Sequence, residues 1–199
     1  MFTWIVSVIH HSGALGVFLL MALENVFPPI PSELILPMAG YAAATGAMSP
    51  VMAVLAGTAG SALGAIVWYA IGRAIGLERL RAWTTRHGRW LTLTPAELDR
   101  AVSWFRRWGL LAVLVGRALP GVRGVICIPA GIARMTFVRF LLASTLGSLI
   151  WSTLLVAAGY LLAARYTAVQ HWLNPAADVF LAACILIYLW RVATFKPEA

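Results

Sequence analysis

Residues 116–131 read G-R-A-L-P-G-V-R-G-V-I-C-I-P-A-G, an apolar run broken by prolines and glycines that also holds two arginines. A guanidinium at hydrocarbon depth costs about 2.5–3.5 kcal/mol on insertion scales, so Arg117 and Arg123 must meet water, a carboxylate or an anionic ligand. Pro120, Gly121, Pro129 and Gly131 deny the run a continuous helix, because proline removes an N–H and glycine weakens helix. Broken backbone survives at membrane depth only where protein or a water-filled cavity covers it. The run is therefore expected to form a re-entrant hairpin that carries two cations into the bilayer.

Composition supports a bilayer. Of 199 residues, 61% are hydrophobic and 11% charged, far from the globular mix of about 25% charged. An all-α integral membrane protein forming one domain over residues 1–199 is expected. The net charge of +8 is assigned to anchoring against anionic lipid, and nucleic acid is not expected as a partner because no basic recognition module is present. Cys127 and Cys184 stand alone and are taken as inert apolar residues. No cofactor or metal is expected: His10 and His11 are adjacent but have no third ligand at a useful spacing. The first apolar stretch lacks the basic lead-in of a cleaved signal and is kept in the mature chain.

Along the chain, residues 1–12 suit an interfacial segment and residues 13–25 a helix too short to cross a bilayer. Next come E-N-V-F-P-P-I-P-S-E and L-I-L-P-M-A-G, whose prolines, Pro29 and Pro31 among them, predict a second hairpin bearing Glu24 and Glu33. Residues 51–71 form a spanning helix with small residues at Gly57, Gly60, Ser61 and Gly64, suited to close helix packing. Residues 73–107 are polar and are expected as a solvated loop and a surface helix, with Thr94 as cap, Pro95 at the first position and Glu97 in the capping box. A short apolar helix over 108–119, the arginine hairpin, a spanning helix over 137–164 and a last spanning helix over 175–192 complete the order.

The two halves repeat. Pro29 precedes Gly40 by the eleven residues that separate Pro120 from Gly131, and Gly60-Ser61 precedes Gly72 as Gly147-Ser148 precedes Gly159. Each half, about 13–72 and about 108–164, is thus a short helix, a hairpin and a spanning helix. No Lys or Arg occurs in residues 1–72, whereas 73–107 hold eight of the fifteen, which places that loop and the C-terminus in the cytoplasm. The halves are then inverted copies, as in many transporters whose sites lie near the midplane.

If the hairpins meet, Glu24 and Glu33 face Arg117 and Arg123. The arginines have the forked donors to bind a phosphate or other oxyanion, and the carboxylates could take up and release protons. Structural salt bridges are the plainer alternative.

The two hairpin segments, E-N-V-F-P-P-I-P-S-E-L-I-L-P-M-A-G and G-R-A-L-P-G-V-R-G-V-I-C-I-P-A-G-I-A-R-M, closely resemble the signature segments of the DedA family, also called the SNARE-associated or VTT-domain family. The resemblance implies a bacterial inner-membrane protein that recycles undecaprenyl phosphate or moves a phospholipid across the bilayer, driven by protons. It also implies functional roles for Glu24, Glu33, Arg117 and Arg123. Some members carry an aspartate farther along where this chain has Glu33. A lipid flippase is thus expected, with a membrane lipid and protons as partners and a homo-oligomer left open. Its rivals are a small-ion or oxyanion transporter, a lipid phosphatase and an assembly factor. The phosphatase needs a nucleophile with a base beside it, and Ser32, between the two acids, has no such partner in the sequence.

Overall fold

The computed structural model describes residues 2–26, 32–91, 95–118, 123–124 and 126–163. The expected last helix, the C-terminus, Thr94, Pro29, Pro31, Pro120 and Gly121 lie outside them. Six helices make up the described residues, with no strand among them: α1 (Phe2–Val26), α2 (Ser32–Ala44), α3 (Pro50–Leu91), α4 (Pro95–Arg117), α5 (Cys127–Ile132) and α6 (Phe137–Leu161).

Two helices are long and apolar enough to cross a membrane, Pro50–Ala82 and Phe137–Leu161. Their outer faces carry large apolar side chains one turn apart: Leu142, Leu146, Ile150 and Leu154 on α6 are each at least half exposed. Leu15, Leu19 and Leu23 continue the pattern on α1. Such stripes are unfavourable in water and suited to lipid.

Helix extents differ from the sequence expectation in three places. The supposed interfacial segment is the first half of α1, which is broken at Gly13, with φ 54 and ψ −133. The polar region expected as a loop followed by a surface helix is helical in its described loop part as well. α3 runs on to Leu91 through Gly76, whose φ of 70 lies outside the helical region and turns the chain where the apolar span gives way to charge. α4 begins at Pro95 as expected but continues unbroken into the supposed separate helix over 108–119. Its buried positions, Val102, Phe105, Ala112, Val113 and Gly116, keep one helical face through the polar-to-apolar change, and no proline interrupts them. An exposed Arg81–Asp99 pair, 2.8 Å apart, links α3 to α4; such a pair is worth about 0–1 kcal/mol.

The prolines also break less than expected. Pro37 lies inside α2, where burial of nearly the whole helix compensates for one lost hydrogen bond. Pro129 falls in the first turn of α5, where its missing N–H has no intrahelical partner to lose. Both helices stop at a left-handed residue, Gly46 after α2 and Arg134 after α5. In each case the next residue bonds back five positions: Ala47 N–H to the Ala42 carbonyl at 2.9 Å and Met135 N–H to the Ala130 carbonyl at 3.1 Å, the Schellman closure.

α3 and α6 pack antiparallel through small residues. Ser61 Oγ and Ser148 Oγ lie 3.4 Å apart, and a Cβ on Gly57 would lie 3.5 Å from Ser152 Oγ. Around this pair the short helices pack on the long ones. A Cβ on Gly40 of α2 would strike the α6 backbone at Val156 and Tyr160, and one on Gly159 would strike Pro37. Likewise, a Cβ on Gly131 of α5 would strike the α3 backbone at Tyr69 and Arg73, and one on Gly72 would strike Ile128. α2 therefore rests on α6, and α5 on α3.

Candidate functional site

Ser148 lies roughly 17 Å along α6 from Phe137 at 1.5 Å per residue, near the middle of that helix, and Ser61 of α3 is beside it. Five segments converge at this level: the end of α1, the start of α2, α3 at Ser61, the middle of α6, and the chain just after α4.

Arg117 ends α4 and is 1% exposed. Its Nη2 donates to the Ser61 carbonyl at 2.9 Å, Ser61 Oγ at 2.8 Å and Ser148 Oγ at 2.9 Å. Its Nη1 donates to the Arg123 carbonyl at 3.0 Å and reaches Asn25 Oδ1 at 3.4 Å. Gly147 makes room for it, since a Cβ there would lie 2.7 Å from Arg117 Cβ. Neutral acceptors thus replace the water that Nη1 and Nη2 give up, which helps a buried cation to be tolerated, while the buried Nε has no partner among the described residues.

Arg123 is also buried and is engaged differently. Its Nη2 pairs with Glu24 Oε1 and its Nη1 donates to Ser32 Oγ. Ser32 is fully buried and Glu24 is 6% exposed. Glu24 Oε2 has no hydrogen-bond partner among the described residues. One carboxylate oxygen, one serine hydroxyl and one guanidinium therefore form a compact charged group in an apolar wall.

Asn25 ties Arg117 to the frame. Its Nδ2 donates to the Ser61 carbonyl at 2.6 Å, and its own carbonyl accepts from Trp68 Nε1 at 2.8 Å. Close approach of α1 to α3 at Gly60 and Gly64 permits this, because a Cβ on Gly64 would crowd Asn25 Cβ at 2.6 Å. Cys127 is buried beneath, its Sγ 3.5 Å from the Arg123 carbonyl.

Of the four ionisable residues singled out in the sequence, Glu24 and Arg123 are paired and Arg117 lies beside them. Glu33 is half-buried and makes no hydrogen bond or ion pair with a described residue, so the expected meeting of both acids with both arginines is reduced to one pair. Gly40 and Gly131 sit in the helix contacts described above. Sequence reasoning weighed Ser32 only as a nucleophile, and it missed Asn25 and Trp68, since nothing in their spacing marks them. It did find Ser61 and Ser148 as repeat positions, but assigned them to packing alone.

These observations define an all-helical membrane protein with a buried arginine site between two crossing apolar helices. Residues 30–161 match the family model described as the VTT domain, and the chain belongs to this family, the DedA family. It is 35% identical to "Alkaline phosphatase-like protein" of Lactococcus lactis subsp. cremoris, over 98% of this chain and 91% of that one. It is 33% identical to "Undecaprenyl phosphate transporter A" of Staphylococcus aureus, over 94% of this chain and 92% of the relative. The protein of the same name in Bacillus subtilis is 30% identical over 98% of this chain and 95% of its own length. No solved structure matches the chain.

Proposed function

We propose that this protein is a proton-coupled flippase that carries a lipid-linked phosphate, undecaprenyl phosphate or a phospholipid, across the bacterial inner membrane. The observation that carries the reading is the buried Arg123 and Glu24 pair. A cation there, held by a single carboxylate oxygen, can exchange that partner for a phosphate while the lipid tail stays in the bilayer. Arg117 holds the segments around it and adds positive potential. Glu24 takes up a proton when Arg123 leaves it for the substrate, since an unpaired carboxylate buried away from water is costly until neutralised. Two relatives named as undecaprenyl phosphate transporters support the substrate class.

In this reading the halves are inverted repeats with re-entrant hairpins at α2 and α5. The exchanged glycine contacts support it, as does the Ser61 and Ser148 pair, which occupies equivalent places in the two halves. The segment over 73–107 and the C-terminus face the cytoplasm. Catalysis has no part in it: Ser32 Oγ accepts from a guanidinium, which cannot take up its proton as a nucleophile's base must.

The test is transport of labelled undecaprenyl phosphate, and separately of a labelled phospholipid, in proteoliposomes under a pH gradient. The native chain should move at least one lipid, with rates that follow the gradient, and Arg123→Ala and Glu24→Gln should abolish the movement. Failure of the folded native chain to move either lipid under any gradient sinks the proposal.

A further inference from the structure

Three features of the Arg123 group are left over from the carrier reading. Ser32 is fully buried and its hydroxyl faces a cation. α2, a helix of 13 residues, starts at that same serine. Glu24 Oε2 is buried without a hydrogen-bond partner among the described residues. The first N–H groups of an α-helix have no intrahelical acceptor and carry partial positive charge, which suits anions. Ser32 Oγ accepts from Arg123 Nη1, which leaves its own proton free to donate. A guanidinium, a hydroxyl and a helix start therefore bring three kinds of donor to one place. The anion now on Arg123, the Glu24 carboxylate, uses only one of its oxygens there.

We propose that Ser32 and the first turn of α2 form, together with Arg123, a seat for a phosphate group, in which the Glu24 carboxylate is the resident anion that phosphate displaces. The proposal rests on the carrier reading for the presence of phosphate at Arg123 and adds the groups that would hold it. A tetrahedral phosphate presents more acceptor oxygens than a carboxylate. It can keep both guanidinium arms and take the serine proton and backbone N–H groups as well. Glu24, once displaced, would no longer oppose a positive charge.

The experiment measures calorimetric binding to the full chain in detergent micelles, with farnesyl phosphate as a short polyprenyl monoester and inorganic phosphate as a tail-free probe. Native protein is expected to bind farnesyl phosphate. Ser32→Ala should weaken that binding roughly tenfold, the worth of one good hydrogen bond to an anion, in protein that still unfolds cooperatively on heating. Glu24→Gln, which keeps the shape but removes the resident charge, should tighten binding at neutral pH even though it stops transport. Ser32-dependent binding of inorganic phosphate would assign the seat to the phosphate group itself, and binding of farnesyl phosphate alone would assign it to a lipid head group. Loss of binding in Arg123→Ala with no change in Ser32→Ala would overturn the seat and leave the carrier reading standing. Weaker binding in Glu24→Gln would overturn the displacement, and it decides the matter if Ser32→Ala does not fold. If the native chain binds neither probe, the carrier reading falls as well.

Discussion

Arg117 and Arg123 lie six residues apart and have different surroundings, and from that difference follow different responses to the same change. Lysine has three donors on a flexible stem and no planar fork. In Arg117→Lys it could not reach the two serines, the two carbonyls and Asn25 together, and at least one buried acceptor would be stranded. This change should lower stability by about 3 kcal/mol, read as a fall in melting temperature in detergent. Arg123→Lys leaves Glu24 paired with a cation, so it should melt near the native temperature while losing most transport. Ser144 gives a prediction of opposite sign. Its hydroxyl is fully buried without a partner among the described residues, so Ser144→Ala should raise stability by about 1 kcal/mol. An unchanged or lower melting temperature would show that Ser144 Oγ is satisfied after all. The arginines themselves were legible in the sequence because charge is rare in apolar runs. Their partners were not, since three of the acceptors on Arg117 are a backbone carbonyl of Ser61, another of Arg123 and an asparagine, and none of these carries a motif.

Among the helices, glycine spacing announced which contacts would be tight but not which helices would make them. Gly131 and Gly109 illustrate the difference. A Cβ on Gly131 would lie 2.7 Å from Arg73 N and still closer to the Tyr69 carbonyl, whereas one on Gly109 would meet Met135 Sδ at 3.6 Å. Gly131→Ala must push α5 off α3 and should cost about 1–3 kcal/mol. Gly109→Ala meets ordinary van der Waals contact inside a helix and should be neutral or stabilise by up to about 1 kcal/mol. Equal melting temperatures for the two variants would contradict the packing described for α5. Helix boundaries were the weakest part of the sequence expectation for a related reason. Charge density suggested a loop ahead of the surface helix at Pro95, but charge sets which face is solvated and does not stop a helix. Pro95 was read as a helix start and is one, because its chemistry is local. Pro37 was read as a breaker and is not, because burial of its helix decides the outcome.

For the whole molecule, α3 and α6 run antiparallel and meet at Ser61 and Ser148, so the turn after α2 and the start of α4 are expected on opposite sides of the membrane. Cysteine reporters at Thr45 and Ser103, in a background without Cys127 and Cys184, test this directly. Thr45→Cys should react with an impermeant maleimide on intact cells, and Ser103→Cys only after permeabilisation. Labelling of both from one side would contradict the inverted arrangement. The proposed repeat rests on four glycine and proline spacings, and these did not announce the contacts of α2 with α6 and of α5 with α3, because spacing along a chain carries no information about which segment another will touch.

The contact of α2 with α6 has a consequence for synthesis. α2 is made early, but the surface that receives Gly40 includes Val156 and Tyr160 of α6. At 5–20 residues per second, the ribosome delivers that surface roughly 6–24 s later. Throughout this interval a helix with proline in its interior waits in the translocation machinery with its docking face uncovered. Biogenesis of the protein should therefore depend on whatever shelters nascent apolar segments, and should be most sensitive to slowed translation between the two halves.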